Sequence, residues 1–369
     1  MPPPLKTAPR LVDDLIPAIL EIDDHWWPRD LQRLALVSPS WVGPIRRRLY
    51  ALPTLRSFHS CTLLVRTLTQ NPHLLALVRG LDLRPIAGEH CALTERDMAS
   101  LRFLLNLKGL QEVTLGGELA VQAERFIYMM ASTRSIRTLH VDGSQVLWDE
   151  GDLGCKHPAS LQWNEAIAFR FTGLHTLRLS NIQLSVSDPP MPYMLRVKDL
   201  ILDDVTLDDG SIQDLFHESW ASLRHLTITS AKAPDSDELV RELLECCENL
   251  ESLRYECANG SAHSDMFEDL ILPSLRKLCL FDVDVNPQTL ALLGQSCRTL
   301  EQLAVLGRAV RLSAQEWVDF VRSGAIPSLR VLETAFGNNS PPAGFKRWPE
   351  EMRESLVSSC QSRGVVLAC

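Results

Sequence analysis

An apolar triplet spaced Leu-x-x-Leu-x-Leu returns ten times between Val78 and Thr334, and few backbones accommodate such a cadence. The triplets are Val78/Leu81/Leu83, Leu110/Val113/Leu115, Ile136/Leu139/Val141, Leu174/Leu177/Leu179 and Val197/Leu200/Leu202. They continue as Leu223/Leu226/Ile228, Leu250/Leu253/Tyr255, Leu275/Leu278/Leu280, Leu300/Leu303/Val305 and Leu329/Leu332/Thr334. Successive starts lie 32, 26, 38, 23, 26, 27, 25, 25 and 29 residues apart. In a chain that is 45% hydrophobic a single triplet means little, but nine of the ten central residues are leucine. The second and third members are two apart, so in an extended strand they point to one face. The first drops into the same core from the turn before the strand. Parallel strands need a long return between them, and a helix suits it.

The returns carry helix signals. Thr94 to Asp97 and Ser313 to Glu316 are capping-box spacings, followed at helical spacing by Met98/Leu101/Leu105 and by Trp317/Phe320/Val321. Pro287 opens another helix with Leu290, Leu293 and Cys297 on one stripe. After Asp235 and Ser236 comes the stripe Leu239/Val240/Leu243/Leu244/Cys247. Three residues before each triplet stand Leu75, Leu107, Thr133, Phe171, Met194, Trp220, Cys247, Leu272, Cys297 and Ile326. Nine of these ten are apolar, which makes the position the last buried residue of the return, with Cys247 and Cys297 as small core hydrophobes. A period of about 20–29 residues with this motif is the signature of a leucine-rich-repeat solenoid. The expectation is therefore an α/β solenoid of about 10–11 repeats, with a parallel sheet on its concave face and helices outside.

Charge narrows the partners. Residues 1–72 hold nine Lys/Arg against six Asp/Glu, +3, so the remainder of a −9 chain is −12. An acidic repeat region argues against a nucleic-acid ligand, which requires a basic track. No stretch approaches the roughly 18 apolar residues of a membrane span. The start Met-Pro-Pro-Pro-Leu-Lys lacks the apolar stretch of a secretory leader. An intracellular protein, cytoplasmic and/or nuclear, with ten reduced cysteines is expected. Cys257 and His263 lack further ligands, and no zinc spacing occurs. No nucleophile, metalloprotease, phosphate-loop or dinucleotide motif is present, so neither a catalytic residue nor a cofactor is expected.

The amino-terminal segment is of another kind. Asp13 or Asp14 can cap a helix with Leu15, Ile16, Ile19 and Leu20 buried and Pro17 in its first turn. Asp30 to Val37 reads as a second short helix, and Ser38-Pro39 as the start of a third carrying Trp41, Ile45 and Leu49. Pro44 should kink that third helix or restart it near Gly43.

The runs Leu-Val-Asp-Asp-Leu-Ile-(x2)-Ile-Leu, Asp-Leu-Gln-Arg-Leu-Ala-Leu-Val-Ser-Pro-Ser-Trp and Arg-Arg-Arg-Leu-Tyr, within residues 11–50, resemble an F-box. Val12 departs from it, standing where the family usually has proline. Glu-Cys-Cys-Glu-Asn-Leu-Glu-Ser-Leu and Ser-Cys-Arg-Thr-Leu-Glu-Gln-Leu resemble the cysteine-containing repeats frequent in F-box proteins, and residues 63–81 resemble the junction in fungal members. The resemblance implies a helical domain at 1–52, a junction at 53–77 and a repeat domain at 78–369. It also implies a non-catalytic target-recognition subunit of a cullin-type ubiquitin ligase (an SCF complex), held by a Skp-type adaptor. Leu11, Leu15, Ile16, Ile19, Leu20, Leu31, Leu34, Val37 and Trp41 would bind that adaptor or pack internally, about half in each role. The alternative is a ligase-independent interaction scaffold whose amino-terminal helices cap the repeats.

An unknown protein target would lie on the concave sheet, where residues between the buried triplet members face outward. His140, Arg178, Asp203, Arg254, Glu256 and Phe281 are the contact residues expected there, with polar chemistry in the middle and Phe281, Leu306 and Phe336 later. His140, His175 and His225 are expected as surface positions of the sheet. An insertion at 148–165 and the run Ser185 to Pro192 read as loops. A helix with Met352, Leu356 and Cys360 on one face should lead into an eleventh strand after Gly364.

Overall fold

All thirty triplet residues are buried, none more than 6% exposed. The computed structural model describes residues 11–22, 26–86, 93–146, 158–188, 195–231, 233–257, 267–268, 270–334 and 348–368. Strands form where the triplets place them. They are β1 (Thr54–Leu55), β2 (Gly80–Leu83), β3 (Glu112–Gly116), β4 (Thr138–Asp142), β5 (Ser160–Trp163), β6 (Thr176–Ser180), β7 (Gln183–Val186) and β8 (Asp199–Asp203). There follow β9 (Thr206–Asp209), β10 (His225–Ser230), β11 (Ser252–Cys257), β12 (Lys277–Phe281), β13 (Gln302–Leu306), β14 (Val331–Thr334) and β15 (Val366–Ala368).

Twelve of them make one α/β sheet in the order β1-β2-β3-β4-β6-β8-β10-β11-β12-β13-β14-β15, parallel throughout. The register is that of the triplets: Leu81, Val113, Leu139, Leu177, Leu200, Leu226, Leu253, Leu278, Leu303, Leu332 and Leu367 form one continuous row. The strand expected after Gly364 forms as β15, the twelfth of the sheet because β1 stands ahead of the first triplet.

Helices return the chain at Glu95–Leu105, Ala123–Met129, Glu165–Arg170, Ala233–Cys246, Pro287–Ser296, Ala314–Ser323 and Glu350–Ser362. The capping boxes at Thr94/Asp97 and Ser313/Glu316 form, and Asn286 with Thr289 adds a third ahead of Pro287. The apolar position three residues ahead of each triplet lies just past the return. Its carbonyl accepts from the first triplet N–H, as in Leu174 to Phe171 (2.9 Å), Leu250 to Cys247 (3.2 Å) and Leu300 to Cys297 (3.2 Å). Burying that side chain thus fixes the turn into the strand. Burial pushes the Cys247 and Cys297 thiols up to about 12, as expected of inert core groups. Met194 lies outside the described residues. In the last helix Leu356 and Cys360 are buried, but Met352 faces solvent.

Three returns differ from expectation. β5, β7 and β9 form a second, three-stranded parallel sheet, so Ser160–Trp163 and Gln183–Val186 are strands rather than parts of loops. A strand rises about 3.3 Å per residue and a helix about 1.5, so β7 suits the shortest interval, 23 residues, although β5 lies in the longest. Leu161, Trp163, Leu184 and Val186 alternate into the core. At the free side of β5, Gln162 N–H donates to the Glu124 carboxylate (3.2 Å), which occupies an edge otherwise open to pairing. Residues 148–157 of the insertion, and Phe336, lie outside the described residues.

Residues that leave the large sheet at its far end adopt positive φ, at Gly117, Asn181, Asp204, Asp282 and Gly307. Glycine, Asn and Asp bear that conformation best. The Asp204 carboxylate also accepts the Ala231 N–H (2.5 Å), and that of Asp282 accepts the Arg308 N–H, each tying one turn to the next.

Candidate functional site

Helices α1 (Leu11–Ile22), α2 (Pro28–Ala35) and α3 (Pro39–Ala51) precede β1, and they close a core of their own. Ile16, Leu20, Leu31 and Ile45 are its buried members, with Trp26, Leu34, Ala35, Trp41 and Leu49 packed partly against them. Three expectations change here. Helix α1 begins by Leu11 rather than at Asp13 or Asp14, so Pro17 is interior. Helix α3 runs unbroken from Pro39 with Ser38 as its cap, rather than restarting at Gly43. Gly43 explains that continuity: proline clashes with the Cβ of the preceding residue, and glycine has none. Ile19 is not buried, and neither is Leu15.

Of the residues expected to meet an adaptor, Ile16, Leu20 and Leu31 are therefore core, and Leu34 and Trp41 half-buried support. Leu15 (51% exposed), Ile19 (42%) and Val37 (71%) stay open to solvent. The side chain of Leu11 lies outside the described ones. Trp27 (73%) and Leu36 (87%) join the exposed set, although neither was expected there from sequence. Their signal was available: Leu36 and Val37 sit at the frayed end of α2, too late for its buried stripe. Five large apolar side chains left in water by a unit this small are more than scattered exposure explains.

The second feature lies on the face of the large sheet turned away from the core. The row between the buried triplet members is Asp82, Thr114, His140, Arg178, Ile201, Thr227, Arg254, Cys279, Ala304 and Glu333. Across β2 to β8 the side chains organise one another. Arg84, just past β2, reaches back to Asp82 (2.7 Å) and across to Asp142 two strands away. It can cross β3 because Gly116 lies beneath it: a Cβ there would come within 2.8 Å of the Arg84 Cγ. Asp142 is buried, and burial alone would raise its carboxyl; bonds from Ser144 and the Arg84 charge hold it below the usual range instead.

His140 lies beside them with Nε2 3.2 Å from the Ser180 hydroxyl. Only 9% of it is exposed, so it is not the surface position expected, and it offers a target little area. Burial, reinforced by the Arg178 charge, pulls its pKa down to about 4, so it is neutral at pH 7. Arg178 is exposed and makes no side-chain hydrogen bond or ion pair among the described residues. Asp203 is half-buried, and burial with the neighbouring Asp204 pushes its carboxyl up.

Further along the sheet the chemistry changes. Arg254 pairs with Glu256 at 3.2 Å and stays largely exposed. Phe281 and Leu306 are half-buried neighbours on β12 and β13. Of the six expected contacts, the sheet thus gathers Arg178 and Asp203 at its middle and Arg254, Glu256 and Phe281 three to four strands on, while His140 serves the internal network. Sequence reasoning missed Gly116 and Ser180, and with them the pairing of Arg84 with Asp142.

Among the described residues no cluster of three metal-ligating side chains occurs, and no helix is long and apolar enough to cross a membrane. Cys257 is buried, and His263 lies outside the described residues. No protein-family model matches this chain, and comparison with curated proteins finds no match.

Proposed function

We propose that this chain is a leucine-rich-repeat solenoid fronted by an F-box-like unit, and that it recruits a protein target to a cullin-type ubiquitin ligase without catalysing any step. The observation that carries the reading is the separate amino-terminal core, which leaves Leu15, Ile19, Trp27, Leu36 and Val37 uncovered. An apolar helical surface of this kind suits docking into a groove on a partner such as a Skp-type adaptor. The polar-then-apolar face of the large sheet then suits a protein segment, with Arg178 free to meet an acidic group and Phe281 and Leu306 as apolar anchors. A different observation favours a ligase-independent scaffold: Arg79 N–H donates to Ala51 O (2.9 Å) and β1 pairs with β2, which fastens the end of α3 to the sheet.

Binding of the full chain to a purified Skp-type adaptor separates the two. Leu15→Asp together with Val37→Asp changes exposed positions and leaves the small core intact. The ligase reading expects at least a tenfold loss of adaptor affinity in this variant. An adaptor that fails to bind the unaltered chain, or binds the variant equally well, leaves the scaffold reading standing.

A further inference from the structure

The residue after the first member of each triplet stands immediately ahead of its strand, and these positions stack into a second column along the leading edge of the large sheet. Ahead of four strands adjacent in the sheet, β4, β6, β8 and β10, the column reads Arg137, His175, Lys198, Arg224. Backbone bonds join them directly: His175 N–H donates to Arg137 O (2.8 Å), Lys198 to His175 (2.7 Å) and Arg224 to Lys198 (2.9 Å). Arg134 and Arg196, both exposed, lie within three residues of the column. Like charges on adjacent strands repel, and here they gather in a chain whose net charge is −9.

The rest of the edge shows what these positions do when counter-charges are supplied. There the column alternates as Arg224, Glu251, Arg276, Glu301, Arg330, with Arg224 to Glu251 at 3.4 Å and Arg276 to Glu301 at 4.0 Å. Arg134, Arg137, Arg196 and Lys198 make no side-chain hydrogen bond or ion pair among the described residues. The acidic groups nearest in sequence register, Glu112 and Asp199, sit one position further into the strands, and Asp199 is engaged by the Thr176 hydroxyl at 3.1 Å. A groove of about 400 Å³ continues from Arg224 over Glu251, Ser274, Arg276 and Glu301.

We propose that this leading edge docks an acidic polypeptide segment, with carboxylate side chains over Arg134, Arg137, Arg196 and Lys198 and the following residues passing the Arg224–Glu251 pair into the groove. Four strands about 4.8 Å apart span roughly 14 Å, which an extended peptide at about 3.3 Å per residue covers in some five residues. A nucleic acid fits less well, since the column is short and carries no Phe, Tyr or Trp on which bases could stack. This surface is distinct from the face on which Arg178 and Phe281 lie.

Fluorescence anisotropy of a labelled hexaglutamate peptide on the full chain tests the proposal. Binding should weaken steeply as salt rises from 50 to about 200 mM. Arg137→Glu with Lys198→Glu should lower affinity at least tenfold, and Arg137→Gln with Lys198→Gln about threefold or more. Reversing Arg46 and Arg47, exposed on α3, should leave it within twofold. Undetectable binding, loss shared equally by the α3 variant, or tighter binding of a labelled uridine decamer would each overturn the proposal. Because all four side chains are exposed, unchanged circular dichroism is expected of every variant.

Discussion

The neutral histidine on β4 makes the fold sensitive to mild acid by a calculable amount. Unfolded, His140 titrates near 6.5; folded, near 4. A group whose folded pKa is depressed binds fewer protons folded than unfolded between the two values. Stability is then full above about pH 6.5, falls as the pH drops, and has lost all of this contribution below about 4. A tenfold change in proton affinity is worth about 1.4 kcal/mol, so the full effect is about 3 kcal/mol, of which about 2.5 kcal/mol is gone at pH 4.5. The cause is burial beside Arg178 and Arg84, opposed by Asp142 and Asp82. Urea unfolding at pH 7.5 and 4.5 should be run on the unaltered chain and on His140→Gln, because carboxylates titrate in the same range and only the difference isolates the imidazole. The variant should lose about 2.5 kcal/mol less on acidification. A His140 ring proton titrating above pH 6 in magnetic resonance spectra, or pH profiles that coincide within 0.5 kcal/mol, would refute the argument.

Two further perturbations test the packing. Gly116→Ala places a Cβ against the Arg84 stem and should drive that guanidinium off Asp142, costing about 2 kcal/mol, between the exposed and buried extremes for ion pairs. Asp142→Asn in the same background should then add less than it does alone, and strict additivity in urea melts would count against the pairing. Thr334 occupies a third-triplet position, 2% exposed, with its hydroxyl lacking a partner among the described residues. Thr334→Val should raise stability by about 1 kcal/mol, and a loss of that size in thermal melts would show the hydroxyl to be satisfied.

The large sheet was legible because its information is local. Each triplet lies within six residues, and each cap within four, so the spacing of Leu278 and Leu280 or the pair Ser313/Glu316 can be read without knowing what lies opposite. The network on the other face was not legible, since Arg84 and Asp142 stand 58 residues apart and meet only across a glycine in the strand between them. The second sheet escaped for a subtler reason. Leu184 and Val186 alternate correctly for a strand, but they abut Ser187-Asp188-Pro189-Pro190, and turn residues outweighed a four-residue alternation. In the amino-terminal unit the apolar stripe marks which residues could be buried. Whether Leu20 or Ile19 fills the core depends on how α1 rotates against α3, and helix periodicity does not specify that rotation.

Small hydroxyl and amide side chains just ahead of the strands bind the unit behind them: Ser222 to Val197 O, Asn249 to Ala221 O, Thr299 to Pro273 O and Ser328 to Arg298 O. Such fastenings carry no memory of how the chain travelled between one and the next. A helix, a single turn or a short strand can fill the interval, and lengths from 23 to 38 residues coexist in one molecule. Ancestral duplication, loss or exchange of a unit would therefore leave its neighbours' front edges still matched, so the architecture can drift in length while its register stays fixed.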